Sequence, residues 1–326
     1  MRIRISFGPV AKSLLIAGMS SGAMMAAVNA ANAQAVGYTF TTIDIAGASN
    51  SYATGINDKG QIAGYSVNAS GQRYAFLDSD GTITTFPSVN LGGIGNTGGI
   101  NDAGQIVGTV SSPQSFLLTN GTFTYFSATG STWTMATDIN DAGQITGNEL
   151  TAQGVWVGFL DSGGTFTTFA PAGATATVPY GINDSGQIVG YATVGGKSFS
   201  FVDTNGTFKT ISVPGTLVLS TAASGINDQG DIVGTFTGPS GFLDTNGTFT
   251  TFAVPGAEAT FVNGVNDAGD IVGYYYVVNG PDQGFLATPD ASPIDVGPLP
   301  VMAGTIPGGM LVLGWLGRCL ARRRQA

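Results

Sequence analysis

One carboxylate recurs six times along the chain. Asp58, Asp102, Asp141, Asp184, Asp228 and Asp267 each stand second in an Asn-Asp-x-Gly segment. Carboxylates repeated at one height of a repeat protein could collect a hard cation such as Ca²⁺ through oxygen ligands. A calcium loop needs further acids close by, and only two segments supply one: Asp228 with Asp231, and Asp267 with Asp270. Those four are the candidate metal ligands, and Ca²⁺ is the one cofactor the residues suggest. Turn formation asks for the same residues without a metal, because Asp bonds the nearby backbone and Gly accepts positive φ.

Catalytic chemistry is thinly supplied. The 326 residues contain no His and a single Cys, which removes Ser-His-Asp and Cys-His nucleophilic systems and clustered Cys/His metal sites. Paired carboxylates suffice for glycoside hydrolysis, but only Glu149 and Glu258 stand apart from the repeating acids, and each reads as a solvated loop residue. The chain therefore reads as non-catalytic, with a propeller-type carbohydrate-active enzyme as the alternative. Trp133 and Trp156 depart from the repeat consensus. An exposed indole could stack on a sugar ring, whereas a buried one would serve packing between sheets.

Charge narrows the partners. The formal net charge is −9, yet between the cationic ends the body holds only Lys59, Arg73, Lys197 and Lys209 against all 20 acids. So acidic a body repels phosphate backbones, which excludes nucleic acid as a partner.

The elements that position these residues repeat with the acids. Gly-Ile-Asn-Asp-x-Gly-Gln-Ile-Val-Gly, with variations, recurs at Asn spacings of 44, 39, 43, 44 and 39. Between copies lie a Phe-Leu-Asp strand, a Gly turn and a Thr-Phe-Thr-Thr-Phe strand. Asn120-Gly121, Asn205-Gly206 and Asn246-Gly247 are strong hairpin signals between β-formers. One repeat thus holds four strands. Phe249 and Phe252 are three apart and Ile271 and Val272 are adjacent, so each pair faces both ways and the sheets should be covered on both sides. Four-stranded sheets of roughly 40 to 45 residues stacked radially make a β-propeller. The array begins at Tyr38-Thr39-Phe40 without a Phe-Leu-Asp strand and ends on a surplus Gly284-Phe285-Leu286. The expectation is an all-β, six-bladed β-propeller closed by pairing of the N- and C-terminal strands.

The repeats resemble the bacterial extracellular repeats named HAF, whose units join a Phe-Leu strand to the Ile-Asn-Asp-x-Gly-Gln-Ile-Val-Gly element. The His of the name-giving His-Ala-Phe is absent, with Tyr74-Ala75-Phe76 coming nearest. The resemblance implies export and a repeat fold, and it implies no activity.

Both ends read as addresses. Residues 1–33 form a signal peptide: Arg2, Arg4 and Lys12, then apolar runs, then Ala31-Asn32-Ala33 as the cleavage site. The body spans 34–296. Residues 297–326 form a tail in which Pro298-Leu299-Pro300 precedes an apolar stretch and Arg318, Arg322, Arg323 and Arg324 close the chain. This tail resembles the PEP-CTERM sorting signals processed by exosortases, and a plain single-span anchor is the alternative. The resemblance implies the export machinery and an exosortase as partners, a transient inner-membrane anchor, and a final place at the cell surface or outside the cell. The overall expectation is a structural or binding module with a polysaccharide or surface-protein ligand. A Ca²⁺-dependent adhesion module is a further alternative.

Overall fold

A computed structural model of the chain describes residues 37–87, 94–110, 113–214, 221–236 and 240–290. The expected signal peptide and sorting tail lie outside the described residues. Among the described residues no helix is long and apolar enough to cross a membrane.

The regular structure described is all β. The first meander runs β2 (Ala48–Ile56), β3 (Ile62–Asn68), β4 (Arg73–Ser79) and β5 (Thr82–Pro87), each strand antiparallel to its predecessor. The order repeats in β6 (Ile94–Ile100), β7 (Ile106–Val110), β8 (Ser115–Thr119) and β9 (Thr122–Phe126). It repeats again in β10 (Trp133–Ile139), β11 (Gln144–Leu150), β12 (Trp156–Ser162) and β13 (Thr165–Phe169), then in β14 (Ala174–Ile182), β15 (Ile188–Val194), β16 (Lys197–Thr204) and β17 (Thr207–Ile211). A further copy is β18 (Thr221–Ile226), β19 (Ile232–Phe236), β20 (Ser240–Thr245) and β21 (Thr248–Phe252). The remaining sheet takes β22 (Ala259–Val265), β23 (Ile271–Tyr276) and β24 (Gln283–Pro289) from the end of the repeats and β1 (Tyr38–Ile43) from their start. In it Tyr38 lies opposite Pro289 and Ile43 opposite Gly284. These repeated four-stranded antiparallel sheets make the chain a β-propeller.

Two details differ from the sequence reading. One parallel bridge, Trp156 opposite Ala176, joins the third and fourth meanders, so the described strands form five hydrogen-bonded sheets, one of them eight-stranded. Each meander also begins with the strand leading into Ile-Asn-Asp and ends with the Thr-Phe strand, so the Phe-Leu-Asp strand is third.

The local chemistry explains the hairpins. Between β8 and β9, Asn120 and Gly121 take φ of 50° and 79°, the paired left-handed conformation that matches strand twist. Burial explains the stacking. Phe76, Phe116, Phe159, Phe201, Phe242 and Phe285, one per third strand, are all fully buried. Ile271 packs with Phe285, while its neighbour Val272 packs with Phe76 of the first meander. Phe249 and Phe252 divide between sheets in the same way. Each sheet thus buries both faces against like sheets. Fully burying a side chain of this size contributes roughly 1.5 to 3 kcal/mol.

Candidate functional site

The site is built from the recurring Asn-Asp turns and the strands that enter them. Within each turn the Asn closes a local loop: the Asn57 side chain accepts the Gln61 N–H at 2.8 Å, and its amide donates to the Gln61 side chain at 2.9 Å. The same amide reaches across to the next sheet. Asn57 donates to the carbonyl of Asn101, Asn101 to Asn140, Asn140 to Asn183, Asn183 to Asn227, Asn227 to Asn266, and Asn266 back to Asn57, at 3.0 to 3.2 Å. All six Asn are buried.

A second cycle lies on top of the first. The backbone N–H of Asp58 donates to the carboxylate of Asp102, and so on through Asp141, Asp184, Asp228 and Asp267, whose N–H donates to Asp58, at 2.7 to 3.1 Å. Each carboxylate therefore caps the neighbouring turn. The six Asp rim a hollow of about 70 Å³. Partial burial pushes the Asp58 and Asp228 carboxyls up, the accepted N–H pulls them down, and the neighbouring acids push them up again.

Of the four metal candidates, Asp228 and Asp267 join this ring. With Asp58 they place carboxylate oxygens within 4.8 Å of one another, a grouping that oxygen-seeking cations use. Asp231 and Asp270 stand where Gln61, Gln105, Gln144 and Gln187 stand in the other turns. Their backbone N–H groups donate to Asn227 and Asn266, and they do not line the hollow.

Behind the acids, Ile56, Ile100, Ile139, Ile182, Ile226 and Val265 form an apolar collar, all of them buried. The collar separates the hollow from a cavity of about 620 Å³, to which the same six residues also contribute. The cavity walls combine short polar side chains, among them Thr54, Asn96, Thr97, Asn148 and Asn263, with aromatic rings. Tyr52 stacks on Tyr65 at 4.6 Å between ring centroids and meets Tyr274 edge-on at 5.0 Å. Tyr274 in turn stacks on Phe261 at 4.8 Å. Tyr180 and Tyr191 pair on the fourth meander at 5.9 Å, and Trp156 lines the wall beside them. Burial raises the Tyr180 and Tyr274 phenols to about 12, which keeps them neutral hydrogen-bonding groups. The guanidinium of Arg73 lies over the Tyr65 ring at 5.1 Å and donates to Asn96 at 2.8 Å, bracing the wall from outside the cavity.

The floor holds one ionisable acid. Five copies of the repeat place Gly before Ile or Val of the collar, at Gly55, Gly99, Gly181, Gly225 and Gly264, and at Gly55 and Gly225 the neighbouring strand approaches too closely for a side chain. A Cβ on Gly55 would lie 2.8 Å from the Cα of Gly99, and one on Gly225 3.0 Å from the Cα of Gly264. The third copy has Asp138, whose carboxylate fills the space over Gly99. It accepts the N–H of Ile139 and the N–H of Ile182 from the next meander, both at 2.9 Å. Removal from bulk water pushes this carboxyl up to about 7 against the pull of the two donors. Its partial exposure is to the cavity.

The other sequence candidates divide. Trp156 reaches the cavity, whereas Trp133 is 38 % exposed on the outer surface. Glu149 is buried on β11, opposite Thr134 and Val157, and burial raises its carboxyl; it is not the solvated loop residue the sequence suggests. Glu258 is exposed ahead of β22. Asp138 and the tyrosines were not sequence candidates. The signal for Asp138 was present, a lone departure from Gly in an otherwise regular element. Tyr65, Tyr191 and Tyr274 share one place, directly after the Gly of the Gln-Ile-Val-Gly element, which is the signal for them, whereas Tyr52 and Tyr180 stand at unlike distances from the Asn of their repeats.

No protein-family model matches the chain, and no curated protein sequence does. Among solved structures it is similar to AofleA from Arthrobotrys oligospora, at 10% identity over 77% of this chain and 86% of that one, with a TM-score of 0.49. It is also similar to the fungal lectin of Aleuria aurantia, described as a six-bladed β-propeller with a fucose recognition mode, at 13% identity over 78% and 99% with a TM-score of 0.47. The β-propeller domain of the Trilobed protease from Pyrococcus furiosus gives 10% identity over 73% and 81% with a TM-score of 0.43.

Proposed function

We propose that the chain is an exported, non-catalytic binding module, a closed six-bladed propeller whose aromatic cavity takes a carbohydrate. The blade count rests on the two six-membered hydrogen-bond cycles, on β1 completing the sheet of β22 to β24, and on the eight-stranded sheet dividing into two meanders at a single bridge. The observation that carries the binding reading is the cavity of about 620 Å³, walled by tyrosine rings and by hydroxyl and amide groups. A sugar presents an apolar C–H face and a rim of hydroxyls, and that combination stacks on rings while bonding short polar side chains.

The non-catalytic reading rests on the carboxylates available. Hydrolysis of a glycosidic bond uses two facing carboxyl groups, and among the residues lining the cavity Asp138 is the single one. Export to the cell surface, with the export machinery and an exosortase as partners, rests on the terminal sequence patterns and on the HAF and PEP-CTERM resemblances. Ca²⁺-dependent adhesion is the second reading, and it draws on the grouping of Asp58, Asp228 and Asp267. Those carboxylates already serve the turns by accepting backbone N–H groups.

The test is a glycan array probed with the purified chain, followed by mass spectrometry of the best-bound oligosaccharide after prolonged incubation. Retention of at least one polysaccharide-derived oligomer at unchanged length is the expected result. Shortened oligomers would show an enzyme, and an empty array would remove the carbohydrate reading.

A further inference from the structure

We propose that the cavity selects a saccharide bearing a fixed or protonated amine, with the Asp138 carboxylate as its counter-ion. The proposal rests on the binding reading above and adds the charge of the ligand.

Four observations converge on it. The first is placement: Asp138 is the one acid among the residues lining the cavity, and no Lys or Arg lines it. The second is cost. A buried carboxylate without a cation is expensive, and two backbone N–H groups offset only part of that expense. Each carboxylate oxygen accepts one of these bonds, which leaves acceptor capacity on both for a ligand donor. The third is the repeat itself. Gly fits this position in five copies, so the fold does not require a charged side chain there, and Asp138 is wedged over Gly99 with two backbone N–H groups as its hydrogen-bond partners. The fourth is the surrounding field. Tyr180 and Tyr191 add aromatic rings to the wall, a kind of group that attracts cations, while the Tyr65 ring already holds the Arg73 guanidinium, and the six ring carboxylates lie behind the collar.

Proton linkage follows from the geometry. The strands packed against β10 are β6, β7, β8, β11 and β14, and their ionisable side chains are Glu149 of β11 and Tyr180 of β14. The remaining titratable groups of the cavity are Tyr191 and the phenols of Tyr52, Tyr65 and Tyr274, which burial pushes up and so keeps neutral through the neutral range. Asp102, Asp141 and Asp184 of the acid ring lie beyond the collar. A cationic ligand therefore binds better as pH rises and Asp138 gives up its proton.

The experiment is calorimetric titration of the full chain with three probes. They are an N,N,N-trimethylglucosamine oligosaccharide, whose charge does not titrate, the neutral N-acetylglucosamine oligosaccharide of equal length, and tetramethylammonium. The expected result at pH 8 is tighter binding of the charged oligosaccharide than of the neutral one by about tenfold, on the order of the 1.4 kcal/mol that a charge pair of this kind supplies. That advantage should shrink between pH 8 and pH 5.5. Asp138→Gly, the residue of the other five copies, and Asp138→Asn should both bring the charged and neutral oligosaccharides to equal affinity and remove the pH dependence of their ratio. Circular dichroism of each variant confirms the fold. Equal affinities for the charged and neutral oligosaccharides overturn the charge selection and leave the carbohydrate reading standing. Binding of tetramethylammonium and the charged oligosaccharide alone, lost in both variants, supports the charge selection and overturns the carbohydrate reading for neutral sugars. Binding of none of the three overturns both.

Discussion

The side-chain amide of Asn266 donates to the backbone carbonyl of Asn57 at 3.1 Å, although 209 residues separate them. It is the same bond that links each Asn to the next along the chain. The last turn thereby satisfies the first, and the cycle has no unpaired member.

Asn266→Ala tests what that cycle contributes. The substitution removes one of the two donors to the Asn57 carbonyl, which keeps the Gly60 N–H, and takes the acceptor from the half-buried Asp270 N–H, and a loss of about 2 kcal/mol is expected. Asn68→Ala is the control. Asn68 closes a like turn, accepting the N–H groups of Ser70 and Gln72, but no bond from it to a neighbouring sheet accompanies them, so its loss should stay near 1 kcal/mol or below. Thermal or urea unfolding of the two variants measures the difference. Equal losses would mean that the local turn, not the cycle, matters.

Gly190→Ala should be far more damaging than its size suggests. A Cβ there would lie 2.2 Å from the carbonyl oxygen of Val178 and 2.7 Å from the Cα of Pro179, both backbone atoms that cannot swing aside. Overpacking against backbone costs about 3 kcal/mol, or roughly 10 °C in Tm for a body of this size. An unchanged Tm would contradict the close approach of β14 and β15.

Stability should fall as pH rises from about 4 to 7. Unfolded, Asp138 releases its proton near the ordinary aspartate value of 3.8, whereas folded it holds the proton up to about 7. Within that window the folded state binds more protons than the unfolded one, so deprotonation favours unfolding. The difference approaches about 4 kcal/mol at most, at roughly 1.4 kcal/mol per pH unit. The raised carboxyls of Asp58 and Asp228 act with the same sign. Asp138→Asn should flatten the profile, and its stability relative to the parent should grow with pH. Urea midpoints at pH 5 and pH 8 give the comparison, and a parent profile that rises over this range would reverse the sign.

Millimolar Ca²⁺ should leave the melting temperature where it is, since the ring carboxylates already cap neighbouring turns. A ligand at one hundred times its Kd would stabilise by about 2.7 kcal/mol. A shift of that order, lost in Asp267→Asn, would assign the ring to metal binding.

Much of this was legible in the sequence. Asn-Gly pairs marked the hairpins, the spacing of Phe249 and Phe252 showed two buried faces, and Tyr38 to Ile43 matched the missing partner of Gly284-Phe285-Leu286. These are local signals, each carried within a few residues. The sequence did not show that Asn57 and Asp58 would bond to the next repeat as well as within their own, because the same residues already satisfy a turn. Nor did it show Tyr52, Tyr180 and Tyr274 sharing one cavity, because that follows only from the inward side of strands more than 90 residues apart. Asp138 was visible as an irregularity, and its meaning depended on knowing how closely the neighbouring glycines approach.

Titration of the chain with the oligosaccharide selected on the array tests the binding reading most directly, with Tyr274→Ala as the paired variant. Saturable binding at one site per chain, weakened about tenfold when the Tyr274 ring is removed from its stack with Phe261 and its edge contact with Tyr52, is the predicted result. Binding that is unchanged in the variant would place the ligand elsewhere and contradict the cavity as the site.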